Sequence, residues 1–85
     1  MSDLLAHHTR AGVLAYLSDR GSADFTEIAR ALETANNVLS RHLERLSESQ
    51  FIRIERGFLG RKPRTRIVLT PAGRQAWAAY LDRLT

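Results

Sequence analysis

The sequence predicts an α+β fold, mainly α, and three observations carry that reading. Apolar residues recur at helical spacing over 3–18, 27–33, 36–49 and 71–84. The period changes to two over 51–56 and 65–69. Clusters of turn-forming residues separate these stretches, with no repeat, low-complexity tract or long linker among them.

The first helix, over 3–18, takes Asp3 as its N-cap. Leu5, Val13, Leu14 and Leu17 are its apolar positions, and Ala6, Ala11 and Ala15 favour the helix. Gly12 inside it costs about 1 kcal/mol relative to alanine, a cost that close packing against another element would justify. Asp19-Arg20-Gly21-Ser22 is a stop signal. Ala23-Asp24-Phe25 is a very short strand. Thr26 caps a second helix from Glu27 to about Glu33, with Ile28, Ala29 and Leu32 facing inward.

Thr34-Ala35-Asn36-Asn37 is a turn whose side chains can cap the next helix. That third helix runs from Asn36 to about Ser49. Leu39, Leu43 and Leu46 repeat at i, i+4 and i+7 and face the core, which leaves Asn37, Ser40, Arg41, Glu44 and Arg45 for solvent or a ligand. Residues 51–56 and 65–69 are paired strands. Between them, 57–64 form a hairpin tip with two glycines, a proline and three cations; Phe58 and Leu59 are expected to pack beneath it, the alternative being contact with thymine methyls or the wall of a DNA groove. Thr70 caps a last helix with Pro71 at its first position, running to about Leu84. Two short helices joined by a tight turn, followed at once by a basic hairpin, make a winged helix-turn-helix: three helices, a two-stranded wing and a C-terminal helix, one domain over 1–85.

The chain carries 13 Lys+Arg against 9 Asp+Glu, and the excess is uneven. Residues 1–50 hold five arginines and seven acids, a net of −2; residues 51–85 hold eight basic residues and two acids, a net of +6. Six of those eight cations lie from Arg53 to Arg66, opposed only by Glu55. Beside an exposed helix of short polar and arginine side chains, this cluster points to double-stranded DNA. Asn36, Asn37, Ser40, Arg41 and Arg45 fit a major groove about 12 Å wide, where Arg pairs with guanine and Asn with adenine. Arg61, Lys62, Arg64 and Arg66 of the wing would hold phosphates or the adjacent minor groove, whose negative potential attracts arginine.

Other classes find little support. Without cysteine there is no disulfide, thiolate zinc site or cysteine nucleophile. His7, His8 and His42 lack metal-ligand spacing, so neither metal nor cofactor is expected. Ser40 and His42 point about 200° apart on a helix and cannot form a nucleophile–base pair. No constellation supports an enzyme. No apolar run approaches the ~20 residues of a membrane span, and the N-terminus is not a signal peptide. The expected location is cytoplasmic, with the nucleoid. Trp77, Tyr80, Leu81 and Leu84 either close the monomer core or form an oligomer surface, joined by Leu4 and Leu5.

Gly60-Arg61-Lys62-Pro63-Arg64-Thr65 and Leu69-Thr70-Pro71-Ala72-Gly73-Arg74 resemble the wing of small prokaryotic winged-helix transcriptional regulators, related to the MarR and ArsR groups. Phe25-Thr26-Glu27-Ile28-Ala29 and Leu39-Ser40-Arg41-His42-Leu43-Glu44-Arg45-Leu46 are similar as well, so the resemblance spans Thr9 to Leu84. It implies a homodimer on a pseudo-palindromic operator, with 36–47 as the recognition helix and the helices over 3–18 and 71–84 forming the dimer contact. Repression by promoter blocking is the default mode. A small-molecule effector, if there is one, would sit at the dimer interface or between the first and last helices. The alternative is a winged-helix module for protein–protein assembly, against which the basic tip argues. The chain departs from the family at three places. Glu33-Thr34-Ala35 replaces Gly-Leu-Thr, so the cap of the third helix must come from Thr34 or Asn36. Val38 replaces a frequent asparagine. Gln50 replaces glycine, at up to about 1 kcal/mol if that residue is left-handed.

Overall fold

The computed structural model describes residues 7–85. Its elements are α1 (His8–Arg20), β1 (Ser22–Asp24), α2 (Phe25–Ala31), α3 (Asn36–Glu48), β2 (Ile52–Leu59), β3 (Lys62–Leu69) and α4 (Pro71–Leu84). The three strands form one antiparallel sheet in the order β1-β3-β2. The predicted class and element order are those observed.

The periodic leucines define the core. Leu14 and Leu17 of α1, Ile28 of α2, Leu39, Leu43 and Leu46 of α3, and Ile52, Ile67 and Leu69 of the sheet are buried together. Gly12 lies where expected for close packing: a Cβ there would sit 3.3 Å from Leu32 Cδ2. A strap on the surface joins α1 to α2. The Tyr16 hydroxyl donates to Glu27 Oε2 at 2.6 Å, and the Arg20 guanidinium lies 3.9 Å from the Tyr16 ring centroid. The bond from Tyr16 holds the Glu27 carboxyl below its ordinary pKa.

Element boundaries need several corrections, each with a local cause. The first helix starts at His8, where extended His7 caps it by accepting the Thr9 N–H on Nδ1 at 3.1 Å. It runs on to Arg20 and stops at Gly21, whose φ is 79°. The expected cap Asp3 lies outside the described residues. Asp24, not Thr26, is the N-cap of α2, and its N–H donates back to Glu27 Oε1 at 3.4 Å. Alanine 35 caps α3 with no side-chain bond, in place of Thr34 or Asn36, because the Thr34 hydroxyl donates to the Leu32 carbonyl at 3.1 Å.

The two departures from family glycine fall at left-handed residues. Glu33 has φ 51° and Gln50 has φ 64°. Each closes a helix with a paired C-terminal motif. Glu33 N–H and Thr34 N–H donate to Arg30 O and Ala29 O; Gln50 N–H and Phe51 N–H donate to Ser47 O and Leu46 O.

The wing is longer than predicted. β2 and β3 pair from Ile52↔Leu69 out to Leu59↔Lys62, so the expected tip over 57–64 shrinks to Gly60-Arg61. Gly60 has φ 65° and Arg61 does not share the positive value, the pattern of a two-residue hairpin turn led by glycine. Phe58 and Leu59 do not pack beneath the wing: they are 73% and 63% exposed. Backbone pairing carries both strands past the end of the core, where nothing remains to cover these side chains.

α4 begins as expected. Thr70 Oγ1 accepts from Gly73 N–H at 2.9 Å and donates to the Gln50 carbonyl at 2.7 Å. Gly73 is buried, and a Cβ on it would stand 2.0 Å from the Phe51 carbonyl oxygen. This glycine lets α4 start directly against the root of β2. Arg74 Nη1 then donates to the Ser18 carbonyl at 3.0 Å, tying α4 to the end of α1.

Candidate nucleic-acid interface

Burial of Leu39, Leu43 and Leu46 orients α3 and turns Asn36, Asn37, Ser40, Arg41 and Arg45 out to solvent. The structure therefore brings the five predicted residues of this helix onto an open surface. Their charge is not uniform along it. The N-terminal half holds Asn36, Asn37, Ser40 and Arg41 without an acid, whereas Glu44 and Glu48 accompany Arg45 in the C-terminal half. Neither Arg41 nor Arg45 makes an ion pair among the described residues.

Two neighbours join them: Val38, noted in the sequence only as a departure from the family, and Arg30, which sequence reasoning missed. Val38 is 39% exposed beside Arg41, an apolar group on a polar helix. Arg30 of α2 lines a cleft of about 370 Å³ with Thr26, Ala29, Thr34 and Asn36, which puts a cation where α2 meets the start of α3. Only the three-dimensional junction of α2 and α3 distinguishes Arg30 from an ordinary solvated arginine.

The wing sorts its six cations by register. Side chains alternate across a strand, so Arg64 and Arg66 share one face of β3. Antiparallel pairing sets Asp24 of β1 directly opposite Arg66. Asp24 Oδ1 accepts from Arg64 Nε at 3.0 Å and from Arg66 Nη1 at 2.9 Å, while Arg66 Nη2 donates to Ser22 Oγ at 2.8 Å. The hydrogen bond from Arg64 is the chief reason the Asp24 carboxyl lies below its ordinary pKa; partial burial opposes it and Arg66 adds to it. Arg53 pairs with Glu55 at 3.1 Å. Arg56, Arg61 and Lys62 are exposed and make no ion pair among the described residues. Of the four predicted wing contacts, then, Arg61 and Lys62 stand free at the tip, while Arg64 and Arg66 are tied to the body of the protein. Asp24 is the residue the sequence reading missed here. Its signal was the Asp24-x-x-Glu27 pattern at a helix start.

His42 is half-buried at the middle of α3, with its ring centroid 4.2 Å from that of His7. Burial first, and then repulsion from His7, Arg10, Arg41 and His8, pushes its pKa below the ordinary histidine value. No group of three His, Cys, Asp or Glu among the described residues is placed to hold a metal ion. No described helix is long and apolar enough to cross a membrane.

The predicted dimer residues divide. Trp77 and Tyr80 are half-buried against the core, with their rings stacked 5.5 Å apart. Leu81 and Leu84 are 42% and 65% exposed. Leu4 and Leu5 lie outside the described residues.

Comparison with known proteins places this arrangement. The pattern of a family described as winged helix DNA-binding domain matches residues 9–85. A transcriptional regulator homologue from Pyrococcus horikoshii OT3 is 25% identical, superposes with a TM-score of 0.91, and is matched over 98% of this chain and 82% of its own. Reduced AbfR bound to DNA is 28% identical with a TM-score of 0.77, over 87% of this chain and 51% of its own. PadR of Bacillus subtilis in complex with operator DNA shares the fold at 19% identity and a TM-score of 0.77, over 88% of this chain and 48% of its own. The chain thus spans about half the length of AbfR and of PadR. A search of curated proteins found no match.

Proposed function

Because the chain belongs to the winged helix DNA-binding domain family, we propose that it is a sequence-specific transcriptional regulator that acts by binding double-stranded DNA, not by catalysis. The observation that carries this reading is the acid-free, exposed N-terminal half of α3 beside a wing tip whose Arg61 and Lys62 make no ion pair among the described residues. Asn36, Asn37, Ser40 and Arg41 enter the major groove, with Arg45 at its edge. Val38 reaches a thymine methyl. Arg30, Arg61 and Lys62 hold phosphates, and Arg64 and Arg66 keep the wing in place while adding to its field. The likeness to AbfR, which binds DNA, supports double-stranded DNA as the partner.

The working unit is a homodimer on a pseudo-palindromic operator, with recognition helices one DNA turn, about 34 Å, apart. Residues 1–85 act as one domain in the cytoplasm, on the nucleoid, and binding over a promoter makes the protein a repressor. Exposed Leu81 and Leu84, with Trp77, Tyr80, Leu4 and Leu5, supply the dimer contact.

The test is fluorescence anisotropy on the DNA upstream of its own gene against a scrambled duplex, over a range of salt. Tighter binding to the first supports the proposal. A dimer that neutralises six to ten phosphates loses roughly 10³–10⁵ in affinity between 50 and 200 mM salt. Absence of binding to any duplex at low salt overturns it and leaves protein–protein assembly. Leu81→Glu with Leu84→Glu should give monomers by analytical ultracentrifugation without disturbing the core. A variant that stays dimeric removes α4 from the interface.

A further inference from the structure

The exposed apolar pair at the wing tip has no use in the assignment above. Phe58 and Leu59 are adjacent, 73% and 63% exposed, and belong to neither the core nor the layer packed on it. Leu59 lines a cleft of about 390 Å³ with Asp24, Phe25 and Pro63. Phe58, more exposed, borders a shallow groove of about 240 Å³ lined by Arg56, Arg64 and Arg66 and by no other apolar side chain. Ile54 and Arg56 border α3 across a cleft shared with Glu44, Ser47 and Glu48. Alternation puts Phe58 on that same face of β2, roughly 13 Å beyond Ile54 along the strand. An exposed phenyl ring outside the core therefore projects from the wing on the side of the helix assigned to the major groove.

We propose that Phe58 is an apolar wedge that enters the minor groove beside the site read by α3 and partly unstacks a base step there. The proposal rests on the DNA-binding reading and adds to it a residue that sets specificity by deformation. Charge identifies the occupant. Arg56 shares a groove with the ring, and Arg61 and Lys62 follow within four residues at the turn; none of the three makes an ion pair among the described residues, so the partner must present apolar surface between flanking negative charges. A minor groove does so, with sugar and base edges between two phosphate rows. Size limits how much of the wing can enter. Paired strands stand about 4.8 Å apart before side chains are added, and a minor groove is about 6 Å wide. The hairpin itself stays outside, one side chain goes in, and the cations reach the phosphates on either side. Inserted apolar side chains of this kind kink DNA. TA and CA/TG steps unstack at least cost, so the wedge favours them at a position that α3 does not touch.

The experiment uses a duplex selected from random sequence by the full chain, labelled at both ends for energy transfer and titrated at several salt concentrations. Phe58→Ala should weaken binding on the order of tenfold, relax the bend, and leave the salt slope unchanged, because an apolar contact releases no counter-ions. Arg61→Ala should instead lower the slope by about one. Phe58→Leu should recover part of both affinity and bend. The ring is exposed, so thermal unfolding of these variants should match that of the parent. Parental affinity and bend in Phe58→Ala overturn the wedge while leaving the DNA-binding reading intact. Failure of the parent to select any duplex overturns both. If Phe58→Ala changes self-association or binding to anionic vesicles and not the DNA bend, the ring belongs to a second copy or a lipid surface, and the wedge is again overturned.

Discussion

The root and the tip of the wing are built from the same two strands and the same kinds of side chain, yet they are opposite in character. At the root, Ile52 and Leu69 are buried, α4 starts against the Phe51 carbonyl through Gly73, and Arg64 and Arg66 share one carboxylate. At the tip, Phe58 and Leu59 face solvent, and Arg61 and Lys62 have no ion pair among the described residues. Arg64 lies only two residues beyond Lys62. Its different fate comes from register, which brings Asp24 of another strand beside it. Local charge density is therefore a poor guide to which cations are available to a polyanion. The root positions the wing, and the tip is left to bind.

Breaking the root should have the largest effect. In Gly73→Ala the new Cβ meets a backbone oxygen at 2.0 Å, which no rotamer relieves. A loss of about 3 kcal/mol or more is expected, read as a collapse of the denaturation midpoint. An unchanged midpoint would mean that α4 is not held against the root.

The two classes of cation are separated by measuring salt slope and thermal midpoint together. Arg61→Ala with Lys62→Ala should lower the slope of DNA binding by about two with no change in midpoint. Arg66→Ala should lower the midpoint with less effect on the slope, because its guanidinium bonds to Asp24 and Ser22. Asp24→Asn should do the reverse of the first pair: freeing Arg64 and Arg66 makes binding to random DNA tighter and the slope steeper. Equal slopes for all these variants would erase the distinction between root and tip.

A smaller gain is expected just past the C-terminal ends of α2 and α3. Gln50→Gly, at φ 64°, and Glu33→Gly, at φ 51°, relieve left-handed strain and should each stabilise by about 1 kcal/mol. A chemical denaturation curve shifted the other way would show that side-chain contacts outweigh backbone strain there.

Acidification should produce the smallest and most divided response. His42 lies below its ordinary value of 6.5, so the unfolded chain takes up this proton first. Its contribution is complete above that value and is lost as the pH falls from it toward the folded pKa. Asp24 lies below 3.8, so its contribution survives to lower pH and is lost as the pH falls from there through the folded value. Thermal melts should decline in two steps, the upper absent in His42→Gln and the lower reduced in Asp24→Asn, where Glu27, also held below its ordinary value, supplies the remainder. A single step common to both variants would show that neither group is linked to folding.

Much of this molecule was legible in its residues. Leu39, Leu43 and Leu46 marked the buried face of α3 and, by difference, its open one. Thr70-Pro71 marked the start of α4. The gains and losses elsewhere share a cause. Asp24 read as part of a short strand before a helix, because its partners are 40 and 42 residues away. Phe58 and Leu59 read as packed, because apolar residues usually are; where the core ends relative to the hairpin is not a local property. Glu33 and Gln50 were visible as departures from glycine, and their left-handed backbone explains why glycine is the family habit.

Element types, the inner faces of the helices and the strongly basic second half follow from the residues alone, because hydrophobic period, capping chemistry and charge are carried by residues close together in the chain. Tertiary structure alone decided which cations are tied down and which are free, how far the wing extends past the core, and that α4 rests on the Phe51 carbonyl. Those outcomes depend on strand register and on distances between segments tens of residues apart. Register is set by the burial of whole faces at once, so no single stretch of the sequence contains it.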